Sequence, residues 1–202
     1  MSLSGGGVTI VAATSVEARA VRRVASANVR VVESGIALRK QPRFDGLAIS
    51  CGLAGGLRDG VPTGTVLVPQ RVRRPDGSEL LCDDVAVRAL TDAAQQLGFA
   101  VLSDPLVTAS TLVYGGSERA ALAAQGFAGV DMETGVISAS RVACVRVILD
   151  TPQREISPVW LTPVRAMFAP RAWPDLPFLM REGPRCSAIA ANIAARAAQQ
   201  LH

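Results

Sequence analysis

The sequence has little of several residue types on which common enzymes rely. Among 202 residues there is one histidine, the last residue His202, and one lysine, Lys40. A Ser-His-Asp triad, a Cys-His pair and a histidine-based metal site all need an imidazole, so this composition excludes them. Acid–base chemistry is therefore expected from carboxylates, arginine, tyrosine or cysteine. No metal ion or organic cofactor is implied.

Aromatic residues are also scarce, at 4% of the chain. The net charge is +4 and the calculated isoelectric point about 9.3, with 21 basic residues. Twenty of these are arginines, which are spread along the chain, and the aromatic residues are too few to form a stacking platform for bases. We therefore expect no nucleic-acid partner.

Long hydrophobic runs and paired cysteine motifs are absent as well. No apolar run reaches the roughly 18 residues that a membrane-spanning helix needs. The first residues lack a basic region, so no secretory signal is expected. The four cysteines are far apart and form no CxxC motif, which predicts buried free thiols in a reducing cytoplasm.

What the sequence does contain is an alternation of apolar strands and helices. Apolar and β-branched runs predict strands at 8–13, 29–32, 47–50, 65–72, 101–108 and 142–149. Helical spacing and capping residues predict helices at 16–25, 84–97, 117–125, 132–141 and 185–200. This order predicts a single α/β domain over 1–202, a three-layer α/β/α fold with a central mixed, largely parallel sheet.

The C-terminal third differs in composition from the rest. Seven of the twelve prolines lie between Pro152 and Pro184. We interpret 152–184 as an irregular apolar segment. The part at 160–181, where arginines alternate with aromatic residues, has three interpretations: packing on the core, a subunit interface, or a peripheral membrane contact.

Three carboxylates stand at or near the predicted carboxyl ends of strands, where ligands bind in open α/β sheets. They are Glu17, Glu133 and Asp150. Each alone also has a structural explanation, as a first-turn helix acid or a turn residue. Their common placement predicts one acid–base pocket. The glycine-rich run 52–56 is neither GxGxxG nor a Walker loop, so nucleotide binding is weakly supported.

Six segments in order carry a resemblance to a known family. They are 10–17 (IVAATSVE), 34–36 (SGI), 50–57 (SCGLAGGL), 64–68 (GTVLV), 130–133 (VDME) and 145–150 (VRVILD). Together they resemble the nucleoside phosphorylase/nucleosidase superfamily, in particular the methylthioadenosine/S-adenosylhomocysteine nucleosidases and the hopanoid-associated phosphorylases. The resemblance covers residues 8–150.

The resemblance implies roles for individual residues. Glu17 would act on the attacking water as general base, and Asp150 would protonate or hydrogen-bond N7 of a purine. Glu133 would bind the ribose hydroxyls beside Met132. Ala13 and the loop residues Leu53, Ala54 and Gly55 would line the base and sugar pocket. A small-molecule purine nucleoside as substrate, release of adenine and a homodimer are implied in the same way.

Other positions depart from the family pattern. Leu53 stands where a serine is usual, and aliphatic Leu112 and Val113 stand where a phenylalanine stacks on the base. Methylthioadenosine is therefore not established as the substrate, and a lipid-linked nucleoside such as adenosylhopane, with a place in hopanoid biosynthesis, is an alternative. Glu17 would repel a phosphate dianion, which favours water, although Arg19 and Arg39 leave a phosphate-dependent phosphorylase open. A non-catalytic purine-binding module is the third alternative.

Overall fold

The computed structural model describes residues 7–35, 43–161 and 169–201. In these ranges the chain forms ten strands and four α-helices. The strands are β1 (Val8–Ala12), β2 (Arg30–Glu33), β3 (Arg43–Gly56), β4 (Val66–Leu67), β5 (Arg71–Arg73), β6 (Glu79–Leu81), β7 (Val101–Leu102), β8 (Leu106–Thr108), β9 (Gly129–Asp131) and β10 (Ser138–Asp150). The helices are α1 (Ser15–Val24), α2 (Asp84–Gln96), α3 (Gly116–Ala124) and α4 (Leu176–Gln200).

The sheet is organised around the two longest strands, β3 and β10. They run parallel, paired from Ser138 with Arg43 to Asp150 with Gly55. Strand β1 is parallel to the middle of β3, and β9 is antiparallel to its last residues. Of the nine strand pairings among the described residues six are parallel, which confirms the predicted mixed, largely parallel sheet. This arrangement brings the ends of β1, β3, β9 and β10 together.

Alternating side chains of the central strands pack on the two faces of the sheet, as the two-residue period of a strand requires. Ile10 and Ile49 belong to the large core, which includes buried residues of α1, α2 and α4. Their neighbours Val11 and Ala48 belong to a separate cluster with Phe44. Burial on both faces explains why these strands are almost continuously apolar.

Helix α4 provides the largest helical surface of the core. It packs against α1, α2, β3 and β10. Its buried residues are mostly alanines, so the helix approaches the sheet closely without large side chains. The buried free thiols are also confirmed: Cys51, Cys82, Cys144 and Cys186.

Two sequence predictions near the sheet centre are wrong. The predicted helix at 132–141 is instead a 3₁₀ turn at Thr134–Val136 followed by the start of β10, because residues from Ser138 onward pair with β3. Tertiary pairing has overridden local helical spacing. The glycine-rich run 52–56 is not a loop but the end of β3, held between β10 and β9.

Three further differences lie at prolines. The predicted strands 65–72 and 101–108 are each divided, around Pro69 and Pro105, because proline cannot donate to a strand ladder. Helix α4 begins at Leu176, nine residues before the predicted start at 185. Pro177 lies in its first turn, where a missing N–H is tolerated, and the irregular segment is correspondingly shorter.

Throughout the described ranges, no helix combines the length and the apolarity required to cross a membrane.

Candidate active site

A cavity of about 220 Å³ opens where β1, β3, β9 and β10 end. Seven of the eight site residues predicted from the sequence line it: Ala13, Glu17, Leu53, Ala54, Met132, Glu133 and Asp150. The eighth, Gly55, lies behind the wall, where a Cβ would sit 3.2 Å from Oδ1 of Asp150. Thr14, Leu112, Val130, Asp131 and Leu149 complete the lining. The structure thus brings the three candidate carboxylates to one cavity.

Glu17 is fixed in place by the start of helix α1. Thr14 is the N-cap, and its backbone N–H and hydroxyl both donate to Oε2 of Glu17, at 2.8 and 2.7 Å. The hydroxyl in turn accepts from the backbone N–H of Glu17, which completes a capping box. Oε1 of Glu17 accepts from the backbone N–H of Leu53 at 3.0 Å. A capping signal in the sequence therefore also positions a carboxylate at the cavity.

Gly52 permits a close approach between strand β3 and two charged side chains. A Cβ at residue 52 would lie 2.7 Å from Nη1 of Arg146 and nearer still to Oε1 of Glu17. Any side chain at this position would have to displace a charged group. The glycine therefore allows the Glu17 carboxylate and the Arg146 guanidinium to converge behind the cavity.

Arg146 is a buried charge that the sequence reasoning missed. It lies in β10, is 1% exposed, and its Nη2 is 2.7 Å from Oδ2 of Asp131 and 3.6 Å from Oε2 of Glu133. The same nitrogen donates to the hydroxyls of Ser50 and Thr134. Burial opposes the charged form, but the carboxylates more than offset it and raise the pKa of Arg146. This cation balances the acids of β9 and of the turn that follows it.

Asp131 anchors the turn that carries Met132 and Glu133. Its carboxylate accepts from the hydroxyl of Thr108 at 2.6 Å and from the backbone N–H of Thr134 at 3.1 Å. These contacts fix β9 to β8 and to the following 3₁₀ turn. Glu133 is 8% exposed and faces the cavity from this turn.

Asp150 ends strand β10 and lines the same cavity as Glu133. Burial raises the pKa of its carboxyl, and the neighbouring guanidinium of Arg119 opposes this effect. Oδ2 of Asp150 is in direct contact with Nη2 of Arg119. A carboxyl with a raised pKa can hold a proton closer to neutral pH, as an acid for a leaving group must.

The sequence indicates the importance of Arg146 but not that of Arg119. Arg146 interrupts an otherwise apolar strand, and a lone charge in a buried strand is a usable signal for a functional or paired residue. Arg119 lies in an alanine-rich helix, after Glu118 and before Ala120, and looks like an ordinary surface residue. It is nevertheless 2% exposed. Its burial depends on how α3 packs, which the local sequence does not specify.

The chemistry available in the cavity is that of carboxylates. Four acidic residues line it: Glu17, Asp131, Glu133 and Asp150. Among the residues described, no group of three or more His, Cys, Asp or Glu side chains is arranged to hold a metal ion. Paired acids in unlike environments suit a reaction in which a cation develops on the substrate while the leaving group takes a proton.

Comparison with known proteins gives a consistent fold but a distant sequence relationship. No family model and no curated protein matches the sequence. Among solved structures, the 5'-methylthioadenosine/S-adenosylhomocysteine nucleosidase of Neisseria meningitidis, bound to methylthio-immucillin-A, has a TM-score of 0.73 at 16% identity, covering 96% of this chain and 99% of that one. The chain has the fold of these nucleosidases.

Two further structures extend the comparison. The corresponding nucleosidase of Colwellia psychrerythraea, in complex with adenine, has a TM-score of 0.72 at 16% identity, covering 100% of this chain and 98% of that one. A futalosine hydrolase mutant of Helicobacter pylori has a TM-score of 0.71 at 11% identity, covering 96% and 99%. The nucleosidase fold therefore extends over nearly the whole chain, including the segment after Asp150 where the sequence resemblance ends.

Proposed function

We propose that this protein is an enzyme that hydrolyses the N-glycosidic bond of a purine nucleoside. The observation that carries the proposal is the convergence of Glu17, Glu133 and Asp150 on one cavity of a nucleosidase fold. Similar folds host unrelated functions, so the proposal rests on the side chains in the cavity as well as on the fold.

Each carboxylate has a role that suits its surroundings. Glu17, with its oxygens fixed by Thr14 and Leu53, takes a proton from the attacking water. Glu133, close to Arg146, accepts hydrogen bonds from ribose hydroxyls and favours the developing oxocarbenium ion. Asp150, whose pKa is raised by burial, donates a proton to N7 of the departing purine.

The charges around the cavity favour water over phosphate as nucleophile. The lining contains four acidic residues and no basic one within the described part of the chain. Arg146 lies behind the lining, paired with Asp131. Arg19 is exposed and lines a different groove, beside Arg23 and Pro184, and Arg39 lies outside the described residues. A phosphate dianion would therefore meet carboxylates without a free cation.

The substrate is proposed more finely as an adenine nucleoside with an uncharged 5′ substituent. The adenine-bound structure of similar fold supports the base. The apolar part of the lining, which includes Leu53, Leu112, Met132 and Leu149, supports an apolar substituent. A lipid-linked nucleoside such as adenosylhopane meets this description and extends the proposal to hopanoid biosynthesis.

An exposed apolar group in the 3₁₀ turn before α4 and in the first turns of α4 supports a peripheral membrane contact. Of the segment 160–181, residues 162–168 lie outside the described ranges. In the described part, Trp173, Leu176 and Met180 are 54%, 40% and 70% exposed. Arg181 beside them is 80% exposed, and its Nε is paired with Glu182 at 2.7 Å, so its outer guanidinium nitrogens are the part that could meet an anionic lipid surface. Co-sedimentation with anionic vesicles tests this contact, and loss of binding in Trp173→Ala would support it.

A homodimer is proposed on the family resemblance, and sedimentation velocity at several concentrations tests it. We propose a cytoplasmic location, which is supported by the four buried cysteines, all of them free thiols.

The decisive experiment is release of free base from a panel of nucleosides, with and without phosphate. Adenosine, methylthioadenosine, adenosylhomocysteine, inosine and a lipid-extended adenosine form the panel. We expect adenine release that needs no phosphate. Release only with phosphate would indicate the phosphorylase, and adenine binding without any release would indicate the non-catalytic module.

A further inference from the structure

Arg119 connects the cavity to a carboxylate outside it. The side chain extends from α3, is 2% exposed, and donates from Nη1 to the backbone carbonyl of Gly56 at 2.7 Å. Its Nη2 contacts Asp150, and its Nε is 2.9 Å from Oε1 of Glu155. One buried guanidinium is therefore shared between two acids, of which Asp150 lines the cavity and Glu155 does not.

Glu155 is held in position independently of Arg119. Its Oε1, which is ion-paired with Arg119, accepts a hydrogen bond from the backbone N–H of Gly115, just before helix α3, at 2.9 Å. The side chain is 20% exposed. Glu155 therefore competes with Asp150 for the same guanidinium from a fixed site, and a change of charge at residue 155 reaches Asp150 through Arg119.

The charged groups around Asp150 come from five parts of the fold: α3, the segment after β10, α1, β9 with its turn, and β10. Arg119 contacts it from α3, with Glu155 behind. Glu17 from α1, and Asp131 and Glu133 from β9 and its turn, line the same cavity. Arg146 from β10 is paired with Asp131 and Glu133. Within the described ranges, Arg119 is the cation in contact with Asp150.

We propose that Arg119 is a positioning residue that controls the proton of Asp150, and that Glu155 adjusts this control by sharing the guanidinium. The proposal rests on the proposed function, in which Asp150 is the acid. Arg119 bridges an acid in the cavity and an acid outside it: its two Nη atoms donate to the Gly56 carbonyl and to Asp150, while Nε lies within ion-pair distance of Glu155 without a hydrogen bond of its own.

The reaction explains why such sharing is useful. The C1′–N9 bond breaks with its electron pair going to the purine, and N7 takes the proton of Asp150. Water adds to C1′, and its proton goes to Glu17. Asp150 is left as an anion, which Arg119 stabilises. If Arg119 paired with Asp150 alone, the acid would lose its proton before the reaction. Glu155 weakens that pairing, which favours the protonated form of Asp150 at the start, and Arg119 stabilises its anion at the end.

Two variants give opposite predictions for the pH profile. Activity falls as pH rises through the pKa of Asp150, since the acid must begin protonated. The alkaline limb is the fall in kcat on the high-pH side of the profile. In Arg119→Met the cation is lost, so this limb moves to higher pH by about one unit or more. In Glu155→Gln a neighbouring negative charge is lost, and the limb moves down by about half a unit. Glu155→Gln is also a mild change for the fold, because its amide oxygen can still accept from the Gly115 N–H.

Arg119→Lys is the matched control, since it keeps the charge and returns the limb towards the wild-type position. A limb that stays in place in both charge variants, or moves in the same direction in both, overturns the proposal. If Arg119→Met does not fold, the downward shift in Glu155→Gln alone decides.

A second measurement separates this inference from the proposed function. Carbon NMR of protein labelled at aspartate carboxyls follows the titration of Asp150 directly, with the resonance assigned by its loss in Asp150→Asn. We expect the titration midpoint to rise in Arg119→Met and fall in Glu155→Gln. If wild-type protein releases no base, the proposed function fails while this titration still decides whether Arg119 and Glu155 control the proton.

Discussion

The interface between helix α4 and the sheet differs sharply from the wall of the cavity. In α4, Ala190, Ile193 and Ala194 are completely buried and contribute only apolar contacts to the main core. The cavity wall comprises the lining residues and the two arginines directly behind them, Arg119 and Arg146. These arginines are buried almost as fully, at 2% and 1% exposed, but each is surrounded by carboxylates.

The comparison shows that residues buried to the same extent are stabilised by different interactions in the two regions. Apolar contacts are many and individually weak, so removing one methyl group lowers the stability of the interface only a little. Buried charges stabilise one another only while they are balanced, and removing one partner leaves an uncompensated charge. The cavity wall therefore concentrates both function and vulnerability, and four predictions test this contrast.

The largest effect is expected on catalysis at the cavity wall. Glu17→Gln and Asp150→Asn should each lower kcat about 10²–10⁴-fold, because each removes a proton-transfer group. Base release and thermal melting are measured together, with the exposed Glu118→Gln as control. A variant with an unchanged rate would show that its residue takes no part in the mechanism.

The next effect concerns stability. Arg146→Met should lower the free energy of unfolding by about 3–5 kcal/mol, because Asp131 would remain buried without its cation. Arg141→Met is the control in the same strand, since Arg141 is 48% exposed and its pair with Asp83 should contribute only about 0–1 kcal/mol. Urea unfolding measures both variants. Equal losses in the free energy of unfolding would show that burial does not make the Arg146 ion pair more important than the exposed one.

An added methyl group tests the close approach at β3. Gly52→Ala should cost about 1–3 kcal/mol through overpacking and should also reduce kcat, because it pushes on Glu17 and Arg146. Gly183→Ala is the control, since a Cβ there meets nothing within 4 Å. If Gly52→Ala changes neither stability nor rate, the wall is more adaptable than these contacts indicate.

The smallest effect is expected at the apolar interface. Ile193→Val in α4 should lower the free energy of unfolding by about 0.5–1.5 kcal/mol and leave kcat unchanged. Val85→Ala, at a half-exposed position of α2, is the surface control. A fall in kcat in Ile193→Val would show that the α4 interface and the cavity wall are energetically coupled, which would break the comparison.

Much of the fold was predictable because its signals are local. The buried strand β1 is a continuous apolar run, and α1 begins at a capping residue, so both were predicted to within a residue or two. The glycine-rich end of β3 and the start of β10 were not, because each becomes a strand through pairing with distant residues. Local sequence does not record such pairing.

The candidate site likewise has residues that local sequence predicts and residues that depend on tertiary packing. The positions of Glu17 and Asp150 follow from strand ends, which periodicity indicates. The burial of Arg119 and its contact with Asp150 depend on the packing of α3 near the end of β10, and nothing in residues 117–125 distinguishes that arginine from a solvated one.

The sequence by itself determined the kinds of chemistry available, because composition excludes histidine chemistry and strand ends locate the acids. Only the tertiary structure decided how those acids are balanced. Electrostatic interactions act through space and strengthen with burial, so the charge state of a carboxylate depends on neighbours that the order of residues along the chain does not reveal.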